Sequence, residues 1–125
     1  MISIKEVLEI HDILIQSFGG SPGIRDVAGL DSALTRPFQT FDGKELYHAP
    51  VNKAAALLES LLINHPFIDG NKRTPYVVMR SFLIAHHIDI SASQDEKYIF
   101  IINIAAGMSN QEAITAWLFS HSRHL

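Results

Sequence analysis

The chain of 125 residues contains no cysteine. That excludes a disulfide framework and any thiolate metal site, and it favours an intracellular setting. Basic residues are also scarce: ten Lys and Arg stand against thirteen Asp and Glu, for a net charge of −3. A nonspecific nucleic-acid binder needs clustered cations to replace counterions along the phosphate backbone, and that supply is missing. No run approaches the ~18 consecutive apolar residues that would span a bilayer. At the N-terminus, Lys5 and Glu6 arrive before any apolar stretch, so no signal peptide is expected. A cytoplasmic protein is the expectation.

What is present is a globular composition, 47% hydrophobic and 18% charged, which excludes a disordered chain. The length suits a single domain over residues 1–125, burying roughly two-thirds of the surface exposed by the unfolded chain. No repeat, low-complexity segment or linker is visible. Helical periodicity dominates, so the expected fold is all-α, a compact bundle of about six helices with one small β-hairpin.

Ser3 and Glu6 form a capping-box signature ahead of a stripe at Val7, Ile10, His11, Leu14 and Phe18. Gly19-Gly20-Ser21-Pro22-Gly23 ends that helix. A shorter helix is expected around Asp31 to Arg36, stopped by Pro37. Asp42-Gly43, a dipeptide favoured in tight hairpins, then sits inside Gln39 to Tyr47 and predicts a flap. From Pro50 the pattern returns at Val51, Ala54, Ala55, Leu58, Leu62 and His65. A further helix is expected from just after Asp69 to His86; its apolar faces predict the most buried position, and Pro75 a distorted second turn. The spacing Tyr98, Ile101, Ile102, Ala105 predicts another helix ending at Gly107, and Ser109 with Glu112 suggests a cap for the last one.

Between two strongly apolar helices lies His65-Pro66-Phe67-Ile68-Asp69-Gly70-Asn71-Lys72-Arg73-Thr74. Taken singly these residues are unremarkable: Asp69 an N-cap, Lys72 and Arg73 solvated, His65 an interior histidine. Together they place Gly70 and Asn71 backbone N–H groups, and two full positive charges, at a helix N-terminus, where cations oppose the dipole unless an anion meets them. Asp69 could hold Mg²⁺, which takes one or two carboxylates plus substrate phosphates. Imidazole titrates near neutral pH, so His65 could accept the proton of an attacking hydroxyl.

This segment resembles the signature of the Fic/Doc family, His-x-Phe-x-Asp/Glu-Gly/Ala-Asn-x-Arg, with His65, Phe67, Asp69, Gly70, Asn71 and Arg73 filling every defining position. Gly19 to Asp26, Gly29 to Leu34 and the hairpin also resemble its death-on-curing branch, so the likeness runs from about residue 3 to residue 120. The resemblance implies that His65 is the general base and that Asp69 organises Mg²⁺ or the transferring phosphate. It implies further that Gly70, Asn71, Lys72 and Arg73 cradle the phosphates of ATP. The flap of Thr40, Phe41, Asp42, Gly43, Lys44, Glu45, Leu46 and Tyr47 would dock the target by strand pairing.

AMP-transferring members carry Gly between the Asn and the Arg, and a second Arg three residues on; here those positions are Lys72 and Tyr76. Asn71-Lys72-Arg73 instead is similar to the death-on-curing toxins, which implies transfer of the γ-phosphate of ATP to a threonine of elongation factor Tu and a block of translation. AMP transfer is the alternative, and a catalytically inactive Fic-fold binding module another. The self-inhibiting Ser/Thr-x-x-x-Glu-Gly/Asn string is not found, which suits a toxin restrained by a separate antitoxin. A small DNA-binding regulator is disfavoured by the acidic charge. Of the other histidines, His86 and His87 diverge by about 100° on a helix, His11 reads as core, His48 as loop, and His121 with His124 as a frayed end; Arg80 reads as surface and Trp117 as packing.

Overall fold

The computed structural model describes residues 2–125. It contains six α-helices: α1 (Ile4–Phe18), α2 (Val27–Thr35), α3 (Pro50–Asn64), α4 (Arg73–Ala85), α5 (Gln94–Ala105) and α6 (Gln111–Ser120). Two small antiparallel sheets accompany them, β1 (Thr40–Phe41) with β2 (Lys44–Glu45), and β3 (Ile88–Ile90) with β4 (Ser122–His124). None of the helices is long and apolar enough to cross a membrane. The mainly helical class with a hairpin flap is thus the observed one, with a second sheet added.

The central element is α3, not α4 as the periodicity suggests. Ten of its residues are buried, against five in α4. Its alanines and leucines face both halves of the interior: Ala54, Ala55, Leu58 and Leu62 pack with α4, α5 and α6, while Leu57 and Leu61 pack with α1, α2 and Phe67. A helix apolar on most faces can only be satisfied in the middle of a bundle.

Several ends differ from the sequence reading. Helix α2 begins earlier, because the Asp26 carboxylate accepts from Gly29 N–H at 2.8 Å and caps it. Pro37 falls in a short 3-10 turn, Arg36–Phe38, that continues the path. Helix α6 is capped by Asn110 rather than Ser109, and α5 carries a full capping box of Ser93 and Glu96. Pro75 causes no break: it lies at the third position of α4, within the first turn, where its missing N–H has no intrahelical acceptor anyway. Phe18, on the expected inward stripe of α1, is 62% exposed.

The C-terminus is not frayed. Ser122–His124 pairs with Ile88–Ile90, and the Leu125 N–H donates to His87 carbonyl oxygen at 2.9 Å. Beneath this sheet Arg80 binds Asp89 through two bonds of 2.7 and 3.0 Å, with Arg123 at 3.9 Å. Arg80 is therefore a clamp rather than a loose surface residue. The Arg80 hydrogen bonds hold the Asp89 carboxyl at about 2, below its ordinary 3.8. A depressed carboxyl stabilises the fold above its unfolded pKa and loses that contribution as pH falls through the folded value. The full shift corresponds to about 2 kcal/mol, reduced by water around the partly exposed guanidinium to about 1 kcal/mol. Asp89→Asn is expected to lower stability by about 1–2 kcal/mol at pH 7. Urea titrations from pH 5 to pH 2 should show a steeper acid loss in the parent than in the variant.

Candidate functional site

Helix α3 ends at His65, whose backbone turns left-handed (φ 47°, ψ 56°) as the helix C-cap. That conformation costs roughly 1–2 kcal/mol for a residue with a Cβ, and the surroundings hold it in place. Arg25 Nε donates to the His65 carbonyl oxygen at 3.0 Å, and its Nη2 donates to the Asn64 carbonyl oxygen at 3.1 Å. A cation is thereby set against the negative end of α3. Asn64 Nδ2 donates to Gly29 carbonyl oxygen at 2.9 Å and fixes α3 to α2.

After His65 the chain runs extended alongside the glycine-rich segment that follows α1. Arg25 and Asp26 N–H groups donate to the Pro66 carbonyl oxygen at 2.8 and 3.1 Å, and Ile68 N–H donates to Gly23 carbonyl oxygen at 3.1 Å. Ile24 bridges Phe67 across this pair. Phe67 is fully buried, and one side chain satisfies its backbone: Asn71 Oδ1 accepts from Phe67 N–H at 3.0 Å while Asn71 Nδ2 donates to Phe67 carbonyl oxygen at 2.8 Å. Within this structure the Asn71 amide builds the loop, leaving its backbone N–H as the group it can offer a phosphate.

Asp69 was expected to cap the next helix, but α4 starts at Arg73 and has no side-chain cap. Gly70, at φ 80°, turns the chain off the helical path in between. Asp69 Oδ2 instead accepts from Ser21 N–H at 2.8 Å, and Oδ1 makes no hydrogen bond among the described residues. Gly70 also permits close packing: a Cβ there would lie 3.3 Å from both His11 Cε1 and Thr74 Oγ1.

Asp69, Gly70, Arg73 and Thr74 line one side of a cleft of about 110 Å³, and Leu14, Ile15, Gly19 and Gly20 line the other. No acidic residue occupies the first turn of α4, and Lys72 stands at its N-cap position. The start of α4 is thus an uncapped positive helix end flanked by two cations, beside one carboxylate. Lys72 and Arg73 also border a wider groove between α4 and α5 with Tyr76, Lys97 and Tyr98. His65 lines neither cleft.

The flap forms where Asp42-Gly43 predicts it. Asp42 (φ 53°) and Gly43 (φ 76°) turn the chain with Thr40 opposite Glu45 and Phe41 opposite Lys44. Phe41 is 76% exposed. The base of the flap is held by a cluster that sequence reasoning did not single out. Arg36 Nε donates to the Tyr47 hydroxyl at 3.1 Å and pairs with Glu59 at 2.7 Å; Lys53 pairs with Glu45 at 3.2 Å and donates to Tyr47 carbonyl oxygen. Among the described residues no hydrogen bond or ion pair joins the flap to residues 65–73.

An uncapped, doubly charged helix start beside a carboxylate, on a helical scaffold with a hairpin flap, defines the class as a mainly helical domain with a cationic helix end at a cleft. Comparison with known proteins makes the class specific. Residues 1–83 match the Fic/DOC family. The chain is 40% identical over 93 residues to the Toxin Doc of Mycolicibacterium smegmatis, covering 72% of each chain. This chain belongs to the Fic/DOC family and falls on its Doc branch.

Sequence reasoning assigned His11 to the core, and it is fully buried; its placement directly under the loop was not foreseen. Its ring stacks on Phe67 at 4.3 Å, and Nδ1 lies 3.0 Å from Thr74 Oγ1, while Nε2 is buried with no hydrogen-bond partner among the described residues. Burial lowers its pKa, outweighing the pull of Asp12 and Asp69 in the other direction. Burial thus favours the neutral form of His11 in the folded state more than in the unfolded chain, which takes up a proton below about pH 6.5. Stability linked to His11 is present above that pH and lost as pH falls below it. His11→Gln should flatten the difference in urea midpoint between pH 7.5 and pH 5.5, and His11→Ala should cost about 2–4 kcal/mol at pH 7.5 and less at pH 5.5.

Proposed function

We propose that this chain is a toxin-type Fic/Doc enzyme that transfers the γ-phosphate of ATP to a threonine or serine hydroxyl of a target protein, with elongation factor Tu as the target and arrest of translation as the outcome. The observation that carries the phosphate reading is the start of α4: no side-chain cap, no acidic residue in the first turn, and Lys72 and Arg73 at its mouth. Free backbone donors and guanidinium charge at such a position stabilise a transferring phosphoryl group. The preference for γ-phosphate rests on the residues after Asn71: Lys72 where AMP-transferring members have Gly, and Tyr76 where they have a second Arg. The Tyr76 hydroxyl is buried and its ring faces Lys97, so no second guanidinium reaches the phosphates from that position.

In the reaction His65 takes the proton of the target hydroxyl. The freed oxygen forms a bond to the γ-phosphorus as the bond from γ-phosphorus to the β–γ bridging oxygen breaks, and ADP leaves. Gly70, Asn71, Lys72 and Arg73 hold the phosphates through backbone N–H groups and charge. The site suits Mg²⁺: Asp69 supplies one carboxylate with an oxygen unengaged by the protein, and this ion takes one or two carboxylates plus phosphate oxygens. When bound, the ion would neutralise phosphate charge. The flap, with its exposed Thr40–Phe41 edge, would take an extended target segment as an added strand. Similarity to a Doc toxin supports a cognate antitoxin that supplies inhibition in trans.

Incubation with elongation factor Tu and Mg²⁺, using ATP labelled at either the γ- or the α-phosphate, tests the reading. Transfer of γ-label alone is expected, and His65→Ala should reduce it by about 10²–10⁴-fold. Transfer of α-label would make the protein an AMP transferase; transfer of neither, with ATP still bound, would leave a binding module. Gly43→Val places a β-branched side chain at a left-handed turn position. It should raise KM for the protein target while leaving ATP affinity unchanged.

A further inference from the structure

The sequence contains five arginines, and four have conventional partners in the fold. Arg25 bonds the end of α3, Arg36 pairs with Glu59, Arg80 with Asp89, and Arg123 approaches Asp89. Arg73 makes no hydrogen bond or ion pair among the described residues. Its guanidinium carbon lies instead 4.0 Å above the centre of the Phe18 ring. Phe18 is the last residue of α1 and is 62% exposed, so burial in the core does not account for it. Arg73 borders two clefts, the Asp69–Gly70 cleft and the groove of Lys72, Tyr76 and Tyr98. Phe18 belongs to the helix that walls the first.

We infer that Phe18 is a positioning residue for Arg73, holding the guanidinium over its ring at the Asp69–Gly70 cleft with N–H groups free for a phosphate. The physical reason lies in the geometry of the two groups. The five N–H bonds of a guanidinium lie in its plane, so stacking on a ring face engages none of them. A carboxylate partner would fix Arg73 equally well, but it would occupy that edge and cancel the charge. The ring restrains the side chain while leaving both intact. It also reduces the rotamer freedom that Arg73 would otherwise lose on binding an anion.

This inference rests on the phosphate reading of α4, and the test separates the two. Calorimetry would measure the affinity of ATP with Mg²⁺, and of tripolyphosphate alone, for the parent, Arg73→Ala, Phe18→Leu, Phe18→Trp and the double variant Phe18→Leu/Arg73→Ala. Phe18→Leu keeps apolar bulk and removes the ring; it should weaken both ligands about two- to five-fold. Phe18→Trp should restore parental affinity, and Phe18→Leu should add nothing once Arg73 is gone. Thermal midpoints should stay level across the Phe18 variants, since the side chain is exposed. If Arg73→Ala weakens binding but Phe18→Leu does not, the inference falls and the phosphate reading stands. An equal loss from Phe18→Leu with Arg73 already removed would also overturn the inference. If Arg73→Ala binds like the parent, both fall together.

Discussion

The site depends on one side chain that closes the turn between α3 and α4. Phe67 is fully buried among Val7, Leu30, Leu57 and Leu61, so its peptide groups lie away from water. A buried peptide group without a partner costs about 1–3 kcal/mol. Asn71 meets both at once, accepting from the Phe67 N–H and donating to its carbonyl oxygen. A carboxamide carries donor and acceptor side by side on one planar head, and asparagine is the shorter of the two residues that have one. That closure sets the spacing between the end of α3 and the start of α4. It also fixes where Gly70 must turn left-handed and which residues stand first on α4.

Helix α1 and the glycine-rich stretch after it supply the other half of the arrangement. His11 packs under Phe67 and Gly70, Ser21 N–H engages Asp69, and Phe18 lies against Arg73. Phe67, Asp69 and Arg73 thus take their orientation from α1 and the glycine-rich stretch after it, far from them in sequence. The Gly19 to Gly23 stretch both ends α1 and lets its backbone approach Asp69, where a Cβ on Gly20 would come within 3.3 Å of Asp69 Cβ. The same glycines serve a local and a long-range purpose.

The legible part of this protein is the part governed by local rules. Asp42-Gly43 gave its turn because positive φ at two successive positions is a property of those residues themselves. The signature segment was legible because its chemistry is contiguous. Less was visible where an interaction joins distant positions. Arg80 looked like surface because its partner, Asp89, lies beyond the end of α4 in a strand of three residues. His121 and His124 looked frayed because a three-residue strand carries too little pattern to reveal its pairing with Ile88–Ile90. Asp69 looked like a cap because acids before helices usually are; here Gly70 and the Asn71–Phe67 closure delay the helix, and Ser21 takes the carboxylate. Centrality was misjudged for a similar reason. Periodicity counts apolar positions, while α3 carries Ala54, Ala55 and Ala56, small residues that let α2, α4, α5 and α6 come close to it.

The start of α4 runs against the usual stabilising pattern for a helix. Acidic residues near an N-terminus typically contribute about 0.3–1 kcal/mol, and cations there act in the opposite sense. A Ser, Asp or Asn cap would add about 1 kcal/mol more. The same chain uses side-chain caps at Ser3, Asp26, Ser93 and Asn110; α3 also starts without one, on Pro50, whereas α4 starts without one on Lys72 and Arg73. The nearest carboxylate, Asp69, is held by Ser21 rather than by the backbone of α4. Donors and charge therefore remain available at the one helix end that the glycine loop leaves open to a cleft. On the proposed reading, a phosphate in that cleft would meet the helix dipole, the N–H groups of the first turn and Arg73 together, so binding would remove a destabilisation already present in the fold. The affinity of such a site comes partly from what the empty helix end lacks.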